Sequence, residues 1–140
     1  MSVYSFTDTI VTIQHSGLGQ KVISGTGVGD VVTSYANDAS AHLLSNDGRV
    51  ITSKINAPNG TVTLNVLQNG DAYEWLVNAY NYAKTADAQE WNGFTVTIRA
   101  TNEFVTCKGC SFQKLPDITR GQQAQMVAFA LLSEEIAMEG

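Results

Sequence analysis

Residues 61–67 read Thr-Val-Thr-Leu-Asn-Val-Leu, an unbroken alternation of small polar and apolar side chains. Successive side chains of an extended strand point to opposite faces. Only a strand therefore puts Val62, Leu64 and Val66 on one side and Thr61, Thr63 and Asn65 on the other. Residues 94–101 repeat the pattern, with Phe94, Val96, Ile98 and Ala100 alternating with Thr95, Thr97, Arg99 and Thr101. Two such segments require a half-buried sheet whose apolar rows share a core. Composition agrees, because Thr, Val and Ile make up 35 of the 140 residues, and β-branched side chains suit a pleated surface.

The chain length fits one domain, here residues 1–140. Hydrophobic residues at 44 % exclude wholesale disorder. Charged residues are only 15 %, well below the usual ~25 %, so little solvated charge keeps copies of the chain apart. The formal charge is −5, and the eight Lys and Arg residues lie far apart. A chain without a basic cluster is not expected to grip DNA or RNA. No apolar run is long enough for a membrane span, and Met1–Tyr4 does not read as the start of a signal peptide. Synthesis and folding in a cytoplasm are expected.

Most of the chain reads as short strands separated by turns. The expected strands are Tyr4–Gln14, Lys21–Ser24, Val31–Ala36, Ser40–Leu44, Arg49–Ile55, Thr61–Leu67, Phe94–Thr101 and Phe104–Lys114. Gly25-Thr26-Gly27-Val28-Gly29-Asp30 reads as a flexible connector, since it lacks the Lys-Ser/Thr ending of a phosphate loop. Asn46-Asp47-Gly48 and Pro58-Asn59-Gly60 read as hairpin turns. Asp71–Ala86 breaks the pattern. Tyr73, Leu76, Val77, Tyr80 and Ala83 share one helical face there, and Asp71 and Glu74 have capping-box spacing. In residues 122–138, propensity favours a helix, but Val127, Phe129 and Leu131 alternate with small residues, and a last strand is expected.

Little of the chain points to catalysis. His15 and His42 have no neighbouring Cys or carboxylate to suggest a triad or metal cluster. Cys107-Lys108-Gly109-Cys110 supplies two of the four ligands zinc needs and lies in a strand–turn pattern. It reads as two small apolar residues straddling a tight turn or bulge, with Gly109 providing the permitted geometry, ahead of redox or metal chemistry. Trp75 in the helix and Trp91 beyond it read as core residues or as contacts between subunits. Glu134, Glu135 and Glu139 read as a solvated acidic end. No catalytic residue, metal or cofactor is expected.

A longer pattern carries more information. Gly29-Asp30-Val31-Val32 leads through Asp38 to Asn46-Asp47-Gly48-Arg49-Val50, then Pro58-Asn59-Gly60-Thr61-Val62-Thr63-Leu64-Asn65-Val66, then Asn69-Gly70-Asp71 and the helix. This order resembles the tail tube proteins of contractile-tailed bacteriophages, which are similar to the tube proteins of R-type pyocins and type VI secretion systems. The resemblance implies a mainly β subunit, sandwich or barrel, with one α-helix and a ring-forming tube-protein fold. It implies a non-enzymatic structural protein that forms stacked homo-hexameric rings, with a sheath outside and baseplate and terminator proteins at the ends. DNA would pass without specific binding, in a virion tail assembled in the bacterial cytoplasm. It also suggests a long hairpin arm at about 38–60, with Asn46, Asp47, Gly48, Arg49, Asn59 and Gly60 as candidate contacts between subunits or rings. Glu74, Asn78 and Asn81 are the candidate sheath-facing residues of a helix on the outside. The competing readings are the tube of a pyocin or secretion device, a monomeric β-sandwich binding a carbohydrate or peptide, and a small thiol enzyme using Cys107 and Cys110.

Overall fold

The computed structural model describes residues 9–23, 28–68, 70–100, 103–118, 120–123 and 125–139. In chain order the elements are β1 (Ile10–His15), β2 (Gly19–Ile23), β3 (Val28–Tyr35), β4 (Ser40–Leu44), β5 (Val50–Lys54), β6 (Gly60–Leu67) and helix α1 (Asp71–Thr85). A short 3-10 turn, Ala88–Glu90, leads to β7 (Phe94–Ala100), β8 (Glu103–Phe112), β9 (Met126–Ser133) and β10 (Glu135–Glu139). The expected strand before residue 9 and residues 24–27 of the glycine connector lie outside the described residues. Val28–Asp30, expected in that connector, already belong to β3.

The strands pair in the order β2-β1-β7-β8-β9-β6-β3, with β10 added on β8. Among the described residues the path does not close on itself, giving an open, mainly β structure with one α-helix and with β2 and β3 at its ends. Strand β8 joins the two halves. Its first part pairs with β10, from Phe104↔Glu139 to Lys108↔Glu135. Its last residues pair with β9, Ser111↔Leu132 and Phe112↔Leu131. Between them the β7 register slips, because Phe94 faces Cys110 whereas Val96 faces Cys107. Gly109 sits in that bulge at φ 63°, a region costly for side chains with a Cβ.

The alternation read in the sequence becomes the core. Val62, Leu64 and Val66 of β6 are all 0 % exposed, and Phe94 and Val96 of β7 and Phe129 and Leu131 of β9 are buried with them. Burying side chains of this size stabilises by roughly 1.5–3 kcal/mol each. The tail forms two strands that meet at Ser133-Glu134. There the Ser133 hydroxyl donates to the Lys108 carbonyl at 3.0 Å, and the Glu134 amide donates to the same oxygen at 3.1 Å. One chain thus leaves β6 and joins β8.

Helix α1 packs on the core through Leu76, Ala79 and Ala83, flanked by half-buried Tyr73, Val77 and Tyr80. Tyr80 meets Phe112 edge-on at 5.7 Å, and Tyr73 meets Phe129 at 6.0 Å. Trp75 and Trp91 are half-buried against the same core, with Trp91 edge-on to Tyr80 at 6.2 Å. The capping box is not formed. Gly70 is the N-cap, no side chain caps the helix, and Asp71 is its first residue. Asp71 and Glu74 instead place negative charge on the first turn, where the helix dipole favours it.

The Pro58-Asn59-Gly60 turn is also not formed. Gly60 is the first residue of β6, paired with Tyr35 and with Ser133. Asn59 extends that ladder by accepting from the Ala36 amide at 3.1 Å. A side chain at Gly60 would strike the Ser34 carbonyl oxygen and come within 3.0 Å of the Tyr35 Cα. The glycine is needed for close approach of backbones, not for a turn.

Candidate assembly surface

Strands β4 and β5 form a two-stranded sheet of their own. The turn that joins them follows from its residues. Gly48 adopts φ 84°, and the Ser45 amide donates to the Arg49 carbonyl at 2.8 Å. The Asp47 carboxylate accepts from the Ser45 hydroxyl and from the Arg49 amide. Those two hydrogen bonds, the hydroxyl first, hold its carboxyl below the usual carboxylate range. Its second oxygen lies 3.5 Å from Arg49 Nε, with both side chains well exposed, so that pair adds little to stability.

Every residue of β4 and β5 is exposed. Leu43 pairs with Ile51 and Leu44 with Val50. Directly opposed residues share a face, so the hairpin is apolar on both sides near its tip. The exposures are large: Leu43 65 %, Leu44 70 %, Val50 58 % and Ile51 50 %. An isolated two-stranded hairpin is marginal in water, and apolar surface rimmed by polar residues marks a contact site. The sequence reading singled out the turn residues and missed these four. The signal was present, since adjacent apolar pairs flank an Asp-Gly turn and a strand with two apolar neighbours shows one on each face.

At the root of the hairpin is a cleft of about 730 Å³. Tyr35, Ile55, Pro58 and Ile136 line it, and Asp38 is its one charged lining residue. Tyr35 donates its hydroxyl to the Ile136 carbonyl at 2.8 Å and so ties β3 to β10. Asn37 Nδ2 donates to Asn59 Oδ1 at 3.2 Å across the same root. Asn46, Asp47, Gly48 and Arg49 therefore lie at the hairpin tip, whereas Asn59 and Gly60 lie at its base, so the structure does not bring the six together. Glu74, Asn78 and Asn81 form one exposed stripe of α1, away from Leu76, Ala79 and Ala83.

The histidines and cysteines have other surroundings. His42 is exposed on β4. His15 is 2 % exposed. Its Nδ1 accepts from the Gly17 amide at 2.9 Å, and its Nε2 lies 2.9 Å from the Glu90 carbonyl oxygen. This pattern assigns the proton to Nε2, and the ring pins the β1–β2 turn to the 3-10 turn. Cys107 and Cys110 are both free and 0 % exposed. Burial pushes the Cys107 thiol up to about 12 and raises that of Cys110. A nucleophilic thiol needs the opposite shift, which weighs against thiol chemistry.

An open mainly β fold with an exposed hairpin apolar on both faces is consistent with a structural role. The family comparison agrees: the chain belongs to the bacteriophage PhiTE tail tube protein family, whose model matches residues 1–140. It is a structural component of a phage tail. No curated protein matches the sequence. Among solved structures, a chain of the extracellular contractile injection system PVC sheath/tube terminator, in the extended state, is similar with TM-score 0.64 and 12 % identity, covering 100 % of this chain and 99 % of that one. A chain of the anti-feeding prophage baseplate, 6-fold symmetrised, is similar with TM-score 0.67 and 12 % identity, covering 100 % and 98 %. The tube-terminating cap of the anti-feeding prophage gives TM-score 0.60 and 12 % identity, covering 99 % and 92 %. At that identity these likenesses concern the fold.

Proposed function

We propose that this chain is the repeating subunit of the inner tail tube. Six copies form a ring, rings stack into a tube, a sheath surrounds it, and baseplate and terminator proteins close its ends. DNA passes through without being bound, and assembly takes place in the bacterial cytoplasm. The observation that carries this reading is the hairpin, whose Leu43–Ile51 and Leu44–Val50 pairs are exposed on opposite faces. Each face needs its own cover, and a head-to-tail contact that closes on itself supplies it in every subunit. Among the described residues the outer edges of β2 and β3 have no partner strand, which favours the same solution, because ring closure removes exposed sheet edges. Glu74, Asn78 and Asn81 then face the sheath. The solved neighbours, which include sheath-tube, baseplate and cap assemblies, support this set of partners.

A second reading, a terminator at the tube end, is favoured by the fold likeness to tube terminator and cap chains. Negative-stain electron microscopy of the purified protein over a range of concentrations separates them. A repeating subunit gives hollow tubes that lengthen with concentration. A terminator gives single rings that never stack. A uniform monomer at every concentration overturns both.

A further inference from the structure

The tip and the root of the β4–β5 hairpin are complementary in chemistry and too far apart to meet within one copy. At the tip, Leu43 and Ile51 are paired and exposed. Arg49 is two positions from Ile51, so strand alternation puts it on the same face, and its side chain is 84 % exposed. That face is apolar with one cation, whereas the opposite face carries His42, Leu44, Val50 and Thr52. At the root, the cleft is lined by Tyr35, Ile55, Pro58 and Ile136, with Asp38 as its one carboxylate. Tyr35 and Ile55 are themselves exposed, and among the described residues Asp38 takes part in no ion pair. Arg49 and Ile55 are six positions apart, which is about 20 Å along a strand. The tip of one copy therefore cannot fill the cleft of that copy.

We propose, resting on the tube reading above, that the face bearing Leu43, Arg49 and Ile51 seats in the root cleft of the next copy, with the Arg49 guanidinium on the Asp38 carboxylate. Any apolar cover over the cleft takes Asp38 out of water, which is costly unless a cation arrives with it. Arg49 is that cation. It gives up an exposed pair with Asp47, which is worth little, for one shielded from solvent. Its planar guanidinium also suits the Tyr35 ring in the same cleft, and Arg and Tyr are both enriched in the cores of protein contacts. The contact is head-to-tail, because each copy offers its tip to one neighbour and its cleft to the other. The Asp38–Arg49 pair then fixes which face of the hairpin turns inward.

The test is a charge exchange, read by electron microscopy as the protein concentration at which tubes first appear. Asp38 and Arg49 are exposed in the subunit, and an unchanged urea midpoint first shows that each variant folds. Asp38→Arg alone and Arg49→Asp alone each raise the threshold about tenfold or more, because like charges then face each other across the contact. The two substitutions in one chain restore the pair and bring the threshold back to within about threefold of the original. A second readout does not depend on charge. Tubes carrying both Asp38→Cys and Arg49→Cys are treated with a bis-maleimide whose spacer is shorter than the span from tip to root. Cys107 and Cys110 are buried and stay silent. Linkage between copies gives a ladder of covalent multimers, whereas either single Cys variant can link no more than two chains. Normal assembly of either single charge variant, failure of the exchange to restore tubes, or absence of the ladder overturns the assignment and leaves the cleft to another occupant. If the unmodified protein forms no ring or tube at any concentration, the tube reading itself fails, before any variant is made.

Discussion

Cys107 and Cys110 stand three residues apart on one strand, and both point into the core. In a regular strand an odd separation puts two side chains on opposite faces. The bulge at Lys108-Gly109 resets the parity, so Val105 and Cys107 before it and Cys110 and Phe112 after it are all buried. The Cys110 thiol donates to the Cys107 carbonyl at 3.3 Å across the bulge. The same point is where β8 passes from pairing with β10 to pairing with β9.

Gly109→Ala is expected to destabilise more than Gly48→Ala. Both glycines have positive φ, but a Cβ at Gly48 meets open space, whereas one at Gly109 comes within 3.0 Å of the Glu134 side chain. Each substitution costs about 1–2 kcal/mol for the left-handed backbone, and Gly109→Ala adds the displacement of Glu134. Urea midpoints measured at unchanged m-value compare them. Equal losses would show that Glu134 moves away freely.

The thiols give a pH dependence with a definite sign. Their folded-state values are raised, Cys107 from 9.0 to about 12. The folded state therefore holds the thiol protons more tightly than the unfolded chain. Stability is fully present below pH 9.0 and falls as the pH rises towards about 12. Cys107→Ala is expected to flatten that decline in a series of urea melts. In the native protein near neutral pH neither thiol should react with a disulfide reagent, and both should react in denaturant.

His15→Phe keeps a ring of similar shape beside Tyr82 and Phe94 but leaves the Gly17 amide without its partner and the Glu90 carbonyl with the Gly93 amide alone. A loss of about 0.5–1.5 kcal/mol is expected, the net worth of a hydrogen bond between part-buried groups. Thermal unfolding measures it. An unchanged Tm would mean water takes over both bonds.

Leu64→Ala should cost about 2–5 kcal/mol, because the site is fully buried and cannot collapse. Leu64→Asp should prevent folding. Thr63→Ala, one position along on the outward face, should change stability by less than about 1 kcal/mol. A soluble, folded Leu64→Asp product would refute the strand register.

The hairpin variants are expected to act on assembly instead of folding. Leu43→Ser with Ile51→Ser removes apolar side chains that are half or more exposed in the subunit, so the urea midpoint should change little while tubes shorten or vanish. Asn46→Lys, which leaves the hydrogen bonds of Asp47 in place, should weaken stacking if the tip bridges rings. Unchanged tube length in both variants would remove the hairpin from the contact.

Local physics made part of this protein legible in its sequence. The alternation in residues 61–67 and 94–100 determines which side chains are buried, because the period of a strand leaves no choice of face. The apolar stripe of 71–85 determines the face of the helix, and Asp47-Gly48 determines a turn. Other features depend on partners distant in the chain, and only the tertiary structure decided them. Gly60 looks like a turn residue until Tyr35 and Ser133 pair with it on either side. Residues 126–139 divide into two strands only because the Lys108 carbonyl meets Ser133 and Glu134. His15 has no neighbour in sequence that explains it, yet it is bonded to Glu90, 75 residues away. Pairing across such distances depends on where the whole backbone runs, which periodicity within one segment does not contain.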